Sequence, residues 1–541
     1  MLFTQKMIYP SDNLGNVSEQ LLYTYHPQGW LNTAINYSGY NYVQGTSYDA
    51  AGRVQLRALG ADVLRTDYVY FAWTTANGLG RLKRIMTGTP GAATSLQDLR
   101  YGDLSPEASW YDAVGNILTI KDYKAGGTQT QTFSYDNADR LLNAAASGGS
   151  GGIYSETYTY NGTTGNLATK AGVTYTYGDT NHKHAVTSTT AGSTFQYDAN
   201  GNMIQRVIGG STYNLSYDPE NRLVGVSGAA TATFTYDGDG KRVKATVGGT
   251  TTVYIGNYLE WTGSTSTWVK YFYAGGQRVA MKKGSTVYFL LGDHLGSTTI
   301  TANSSTAVEV GELRYKAWGE TRYTSGTTYT NRRFTGQVEE NALGLYFFNA
   351  RWFDPGLGRF VQSDSIIPGA DNPQAWDRFA YTLNNPVRYI DPSGHGACDG
   401  PNADPEDCAN IGENKLSDSN TDPPFDNSLG GNEEVKDEIK PNNEPIDEEG
   451  LIGCAVLAGT CLIVMETSTL FTIGGVILLG GSLTFDSLTL GLSSVPTALT
   501  KVVGVVMELL ALAGYTYVVL DLIPKTVDCV NKNTGYKNQG K

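Results

Sequence analysis

The residue types best suited to metal or nucleophilic chemistry are scarce in this chain of 541 residues, which has only five histidines and five cysteines. His182 and His184 form a His-x-His pair, but without a third ligand at the compact spacing of zinc sites we assign no metal site and no cofactor. His294 lies in Gly-Asp-His-Leu-Gly and is expected to be a turn residue. The sequence shows no His-x-x-Asn-type nuclease cluster, deaminase metal motif or Gly-rich phosphate loop. These residue types therefore identify no enzymatic activity.

Tyr-Asp pairs recur along the chain and open similar phrases, such as Tyr197-Asp198-Ala-Asn-Gly-Asn and Tyr217-Asp218-Pro-Glu-Asn-Arg. From Tyr160 onward the tyrosines are 17, 20, 20 and 19 residues apart, a period typical of a repeated supersecondary unit. Apolar and small polar residues alternate before each pair, which indicates a half-buried strand, and Asp, Asn and Gly then favour a tight turn. Each repeat is predicted to be a β-hairpin in which Tyr and Asp have structural roles. Neighbouring hairpins are expected to pair edge to edge into one long sheet.

Composition supports a mainly β protein. The chain has 65 Gly and 36 Tyr with only 17% charged residues, unlike a helical bundle or coiled coil, and its 40% hydrophobic content argues against a fully disordered chain. Residues 396–450 hold 16 acidic residues and three lysines, which accounts for the whole net charge of −13. The rest of the chain is neutral and has no concentrated basic patch, so we predict no nucleic-acid partner.

Further motifs follow the repeats. They begin at Tyr288 (YFLLGDHLGS), Tyr315 (YKAWGE), Arg333 (RFTGQ), Gly344 (GLY), Ala350 (ARWFDP), Gly358 (GRF) and Asn384 (NNPVRYIDPSG). Together with the repeats, they make the chain resemble the YD-repeat, or Rhs (rearrangement hotspot), family of polymorphic toxins and toxin-complex C-subunits over roughly residues 1–395. The resemblance implies a spiralling antiparallel sheet of β-hairpins that forms part of a hollow shell, with an Rhs-associated core as its plug. It also implies a variable C-terminal segment enclosed by the shell.

In several family members the core cuts its own chain by a reaction that resembles aspartic proteolysis. The resemblance makes Asp364, in the phrase after Gly-Arg-Phe, and Asp391, which opens Asp-Pro-Ser-Gly, the candidate catalytic pair. Cleavage would fall after the residue that follows this motif, between His395 and Gly396. Two close carboxylates would share a proton, so that one activates water and the other polarises the scissile carbonyl.

Other interpretations of these positions stay open. Arg351 and Arg359 could orient the carboxylates or pack in the core. Asp364 and Asp391 could simply belong to turns. His395 stands where cleaving members usually carry Leu, and the segment 365–390 is longer than in typical cleaving members.

Composition divides the chain into four predicted segments. They are a YD-repeat shell (1–285), the Rhs-associated core (286–395), an acidic disordered linker (396–450) and a variable apolar segment (451–541) that could be helical. Apolar runs within 451–523 are of marginal length for spanning a membrane. This segment is interpreted as a membrane-active payload, a set of permanent anchors or an unstructured cargo.

The leading hypothesis is a shell protein that encapsulates and presents its own C-terminal segment as toxin-like cargo, with self-cleavage as a subordinate hypothesis. Its expected partners are that cargo, an N-terminal shell or delivery protein, and an immunity protein. The N-terminal residues contain no apolar signal region, so we expect secretion or surface display by a non-Sec or upstream-encoded route. The alternative is a surface adhesion or carbohydrate-binding protein with an anchoring C-terminus and no cleavage. A truncated gene without activity is a third interpretation.

Overall fold

The computed structural model of the protein describes residues 5–10, 19–124, 126–263, 267–366 and 372–399, and the backbone of four strands between 454 and 479. Helical structure among them is limited to short 3-10 turns, including Phe334–Gly336, Pro373–Trp376 and Thr382–Asn384. The predicted mainly antiparallel β fold is therefore confirmed. In the described parts of the chain, no helix is both long and apolar enough to cross a membrane. The chain divides into two compact units, residues 1–422 and residues 423–541.

A small antiparallel sheet begins the first unit. Its strands, in spatial order, are β1 (Lys6–Ile8), β2 (Gln20–Tyr25), β3 (Leu31–Asn36) and β4 (Asn41–Val43). Tyr42 stacks on Phe272 with 3.7 Å between ring centroids, and the Tyr9 hydroxyl donates to the Tyr271 carbonyl at 2.6 Å. These contacts fasten the small sheet to residues 271 and 272 of the large one.

The large sheet has 26 antiparallel strands, and its strand order is that of a closed barrel. Its first five strands are β5 (Gly45–Tyr48), β6 (Val54–Leu59), β7 (Leu64–Tyr70), β8 (Leu82–Thr89) and β9 (Ala92–Arg100). A separate hairpin follows, formed by β10 (Gly102–Leu104) and β11 (Glu107–Ser109). The sheet continues with β12 (Thr119–Asp122), β13 (Gln129–Tyr135), β14 (Leu141–Gly148), β15 (Tyr154–Tyr160), β16 (Leu167–Lys170), β17 (Val173–Thr176), β18 (Ser188–Thr189), β19 (Thr194–Tyr197), β20 (Met203–Ile208), β21 (Ser211–Tyr217) and β22 (Leu223–Gly228). Its remaining strands are β23 (Ala232–Tyr236), β24 (Arg242–Val247), β25 (Thr250–Ile255), β26 (Leu259–Trp261), β27 (Val269–Ala274), β28 (Gln277–Lys283), β29 (Thr286–Gly292), β30 (Thr298–Asn303), β31 (Glu309–Tyr315) and β32 (Thr321–Gly326).

Each Tyr-Asp pair builds a hairpin, as the β21–β22 repeat shows. Tyr217 lies at a β-bulge, and the next residue, Asp218, accepts the backbone N–H groups of Glu220 and Arg222 through Oδ1 at 3.0 and 2.9 Å. Its Oδ2 accepts the Arg222 Nε–H at 2.7 Å. The carboxylate therefore closes the turn, as the repeat pattern predicts.

The sheet curves so that strands distant in sequence come together. Lys170 on β16 pairs with Glu320 at 2.6 Å, and Lys316 pairs with Glu156 on β15 at 2.6 Å. The Gln97 side-chain amide on β9 donates to the Gly292 carbonyl on β29 at 3.0 Å. Because these contacts join opposite stretches of the same sheet, the strands surround an interior.

The described residues from 334 to 399 fill part of that interior and are called the plug here. Its strands are β33 (Val338–Glu340), β34 (Leu345–Phe348), β35 (Arg351–Asp354), β36 (Arg359–Phe360), β37 (Tyr389–Ile390) and β38 (Cys398–Asp399). The largest apolar cluster contains residues of both the sheet and the plug, for example Phe234, Leu215, Trp352 and Tyr381. Plug and sheet thus share one core.

In the second unit, four short strands pair in the order β39-β40-β42-β41: β39 (Cys454–Leu457), β40 (Thr460–Ile463), β41 (Leu470–Ile473) and β42 (Val476–Leu479). β40 and β42 are parallel, and the other pairings are antiparallel. The described part of the apolar C-terminal segment is therefore strand, whereas helices were one expectation. The predicted acidic linker and the remaining apolar runs lie outside the described residues, and the four segment boundaries stay predictions.

Candidate active site

The Asp391-Pro-Ser-Gly turn follows β37 and folds around its own aspartate. Asp391 Oδ1 accepts the backbone N–H groups of Gly394, His395 and Gly396 at 2.8, 3.0 and 3.1 Å. Gly394 has φ +82°, and a Cβ there would lie 2.3 Å from the Phe348 carbonyl oxygen, so only glycine fits. This local arrangement holds both sides of the predicted scissile bond against one carboxylate.

The β34–β35 hairpin anchors the turn. The Ala350 backbone N–H donates to the Ser393 carbonyl at 3.1 Å, and the Asn349 side-chain amide donates to the Pro392 carbonyl at 2.7 Å. The Gln337 side-chain amide donates to the Asp391 carbonyl at 3.3 Å. The turn is thereby positioned by residues that precede it by about 40 to 55 positions.

Arg351, the first residue of β35, joins the two candidate aspartates. Its Nη2 lies 2.9 Å from Asp364 Oδ2 and 3.2 Å from Asp391 Oδ2. Its Nε donates to the Gly394 carbonyl, its Nη1 donates to the Arg378 carbonyl at 2.9 Å, and its guanidinium lies over the Phe360 ring. A single buried cation thus contacts both carboxylates and the segment that precedes the predicted scissile bond.

Asp364 follows β36 and is held by backbone and side-chain contacts. Its backbone N–H donates to the Arg378 carbonyl at 2.9 Å, and its Oδ1 accepts the Ile366 N–H at 3.0 Å. The same Oδ1 lies 2.7 Å from His395 Nδ1. The structure therefore brings Asp364, Asp391, Arg351 and His395 into one cluster.

Burial controls the electrostatics of this cluster. Burial raises the pKa of Asp391, against the lowering effects of Arg351 and of the N–H groups from Gly396 and Gly394. Burial also lowers the pKa of the Arg351 guanidinium, although both aspartates act in the opposite direction. The sequence-based expectation of two carboxylates that share a proton leaves out Arg351. Its guanidinium contacts both carboxylates and offsets their negative charge.

Arg359, the other arginine singled out in the sequence, serves a different carboxylate. Its Nη2 lies 2.5 Å from Asp377 Oδ1 and donates to the His184 carbonyl at 3.0 Å. Its guanidinium is within 5.7 Å of the Tyr177 ring centroid. In the described residues, no contact joins it to Asp364 or Asp391.

Beside the cluster lies a cavity of about 1220 Å³. Arg351, Arg378 and His395 line it from the plug, and Asn200 and Asp237 line it from Tyr-Asp turns of the sheet. Sequence reasoning missed Arg378, whose Nε donates to the Asp364 carbonyl. The sequence contains only a weak signal for Arg378, because this residue lies in the segment 365–390, between the Gly-Arg-Phe and Asp-Pro-Ser-Gly motifs.

The isolated histidines have structural partners. His182 Nδ1 lies 2.9 Å from Asp179 Oδ2, His184 Nδ1 lies 2.5 Å from Asn166 Oδ1, and His294 Nε2 lies 2.8 Å from the Val387 carbonyl. Within the described ranges, no three His, Cys, Asp or Glu side chains are grouped as they would be to hold a metal ion.

The model of the Teneurin YD-shell family matches residues 107–387, just over half of the 541-residue chain. The tRNA nuclease WapA of Bacillus subtilis (strain 168) is 28% identical over 294 residues, which is 53% of this chain and 11% of WapA. The double-stranded DNA deaminase toxin A of Burkholderia cenocepacia (strain H111) is 24% identical over 359 residues, 64% of this chain and 20% of the toxin. The toxin protein Tse5 of Pseudomonas aeruginosa is 29% identical over 113 residues, 20% of this chain and 8% of Tse5. The chain thus matches at most a fifth of the length of these three relatives.

Two solved structures show the same fold. The crystal structure of TcdB2-TccC3 matches with a TM-score of 0.55 at 20% identity, over 70% of this chain and 21% of the other. The Tc holotoxin pore of Photorhabdus luminescens matches with a TM-score of 0.53 at 19% identity, again over 70% of this chain and 21% of the other.

Proposed function

We propose that this chain, which belongs to the Teneurin YD-shell family, is the shell and plug of a polymorphic-toxin protein that releases its C-terminal segment by self-cleavage. The family and the curved sheet around a plug support the shell role. Relatives named as a nuclease, a deaminase toxin and a toxin support the toxin role. The observation that supports self-cleavage most directly is that Asp364, Asp391 and the segment 394–396 lie together around Arg351.

The proposed reaction is hydrolysis of the peptide bond between His395 and Gly396. Water attacks the His395 carbonyl carbon and gives one proton to Asp364, while Asp391 in its neutral form polarises the carbonyl oxygen. Asp364 then passes that proton to the Gly396 nitrogen as the C–N bond breaks. Asp391 Oδ1 accepts the Gly396 N–H at 3.1 Å and so holds the scissile bond, while burial favours the neutral form of this carboxyl, whose proton would then be on Oδ2. The products are a carboxylic acid on His395, which then loses its proton to solvent, and a free amine on Gly396.

Intact mass under denaturing conditions tests this reaction. We expect the wild type to give fragments 1–395 and 396–541, and Asp364→Asn and Asp391→Asn to give one uncut chain. Asp399→Asn is the matched control, because this carboxylate lies just beyond the bond and pairs with Arg388 instead. A single uncut mass for the wild type, or cutting in both Asn variants, would refute the reaction.

The cargo role needs a separate test in producing cells. We propose that the segment after residue 395 acts on a target cell after secretion or surface delivery, that a delivery partner carries it and that an immunity protein protects the producer. Production of the full chain should slow growth or permeabilise membranes relative to a chain that ends at His395. Equal growth and equal membrane integrity would remove the toxin interpretation while leaving the cleavage test intact.

A further inference from the structure

Asp364 contacts the segment 394–396 through one group, the imidazole of His395. His395 Nδ1 lies 2.7 Å from Asp364 Oδ1. Across the described part of the plug, no hydrogen bond joins the Asp364 carboxylate to a backbone atom of residues 394–396, whereas Asp391 accepts three of their N–H groups. The imidazole is therefore the group through which the Asp364 carboxylate contacts residue 395.

This contact occupies the oxygen of Asp364 that faces residue 395. The same oxygen, Oδ1, also accepts the Ile366 N–H at 3.0 Å. Its other oxygen, Oδ2, contacts Arg351 at 2.9 Å. A water molecule beside residue 395 would have to compete with the imidazole for Oδ1 in order to be activated there.

The imidazole is also the member of the cluster with most access to solvent. The His395 side chain is 33% exposed and lines the large cavity, whereas those of Asp364, Arg351 and Asp391 are 3–6% exposed. His395 can thus leave the carboxylate by rotating its side chain, while the aspartates remain held by the plug.

We propose that His395 acts as a latch on the candidate active site. Its Nδ1–H occupies Asp364 Oδ1, and cleavage of the chain requires this hydrogen bond to break. The latch rests on the proposed self-cleavage and adds to it the residue that sets its rate. Nδ1 is the donor whenever Asp364 is ionised, because a carboxylate only accepts. Breaking one hydrogen bond to a charged group corresponds to a rate change of about tenfold to a hundredfold.

The test follows cleavage of the full chain over time after cell-free synthesis, by gel and intact mass, for wild type, His395→Leu and His395→Asn. Leu removes the donor at similar size, whereas the Asn amide can place a donor where Nδ1 lies. We expect His395→Leu to cleave about tenfold or more faster than wild type and His395→Asn to cleave at the wild-type rate. The double variant Asp364→Asn/His395→Leu should stay uncut, and thermal unfolding of each variant checks that it folds.

Three results would overturn the latch, and they are distinguishable. Equal rates for wild type and His395→Leu would leave self-cleavage standing without a latch. Loss of cleavage in both folded His395 variants would show that the imidazole takes part in the reaction. Failure of every protein to cut, His395→Leu included, would refute the proposed cleavage and the latch with it.

Discussion

A single backbone position controls the geometry of the proposed cleavage site. Gly394 adopts φ +82°, and its missing Cβ leaves room for the Phe348 carbonyl, which would otherwise lie 2.3 Å away. This conformation turns the N–H groups of residues 394, 395 and 396 toward one oxygen of Asp391. The site therefore depends on a residue without functional groups.

At this scale we predict that Gly394→Ala lowers stability well beyond the ordinary cost of a positive φ. The matched control is Gly192→Ala, because Gly192 has φ +84° and a Cβ added to it would meet no atom within 4 Å. The control should cost about 1 kcal/mol and Gly394→Ala about 3 kcal/mol or more, since the latter also forces the hairpin to move. Denaturant unfolding in the Asp364→Asn background, where the chain stays intact, measures both. Equal losses would contradict the close approach.

The β-hairpin is the element in which the Tyr-Asp pair has its role. The tyrosine hydroxyl donates to a backbone carbonyl of a preceding hairpin, so each repeat is tied to an earlier one beyond its strand pairing. In the Tyr-Asp pairs these donors and acceptors are Tyr48 to Leu31, Tyr111 to Leu82, Tyr135 to Ile117, Tyr197 to Val186, Tyr217 to Met203 and Tyr236 to Leu223. Four tyrosines that are not followed by Asp make the same kind of bond: Tyr70 to Val54, Tyr160 to Leu141, Tyr177 to Leu167 and Tyr315 to Thr298. Phe would fill the same space but leave the carbonyl without its donor.

We predict that Tyr217→Phe lowers the free energy of unfolding by about 1 kcal/mol, because its 3.0 Å hydrogen bond to the Met203 carbonyl is lost. Tyr213→Phe is the control on the same strand, since the Tyr213 hydroxyl makes no hydrogen bond to the described residues. Chemical denaturation of both variants gives the comparison. If the two losses are equal, the hydroxyl does not contribute to stability.

For the whole molecule, buried ion pairs join the sheet to the plug. Arg206 on β20 pairs with Asp354 at 2.9 Å, and Arg242 on β24 pairs with Glu340 at 2.9 Å. Burial raises the pKa of Glu340, while Arg242 favours its ionised form. These pairs fix the plug inside the sheet, because an unpaired buried charge would cost several kcal/mol.

We predict that Arg242→Met lowers the free energy of unfolding by about 3–5 kcal/mol at neutral pH, since it leaves Glu340 buried and unpaired. The loss should become smaller as the pH falls. Because burial raises the pKa of Glu340, this residue takes up its proton in the folded protein at a higher pH than in the unfolded chain, and the neutral carboxyl does not need the arginine as a partner. Adding Glu340→Leu should recover much of the stability.

Arg65→Met is the control for this prediction, because Arg65 and Asp62 form a partly exposed pair, screened by solvent, whose removal should cost far less stability. Urea unfolding at several pH values measures the wild type and the three variants. A pH-independent loss in Arg242→Met would show that packing of the arginine, rather than its charge, is what stabilises the plug.

The hairpins could be predicted from the sequence alone, because strand alternation and Asp-Asn-Gly turns are local patterns that act within about 20 residues. The sequence also indicated Asp364 and Asp391 through a family resemblance, but not that they lie together. Their proximity is a property of the tertiary fold, in which Arg351 of the β34–β35 hairpin contacts both carboxylates although they are 27 residues apart in sequence. The fold likewise assigned Arg359 to Asp377 and His395 to Asp364. Such pairings depend on which side chains share a buried, low-dielectric interior, and that is set by packing of the whole sheet around the plug rather than by spacing along the chain.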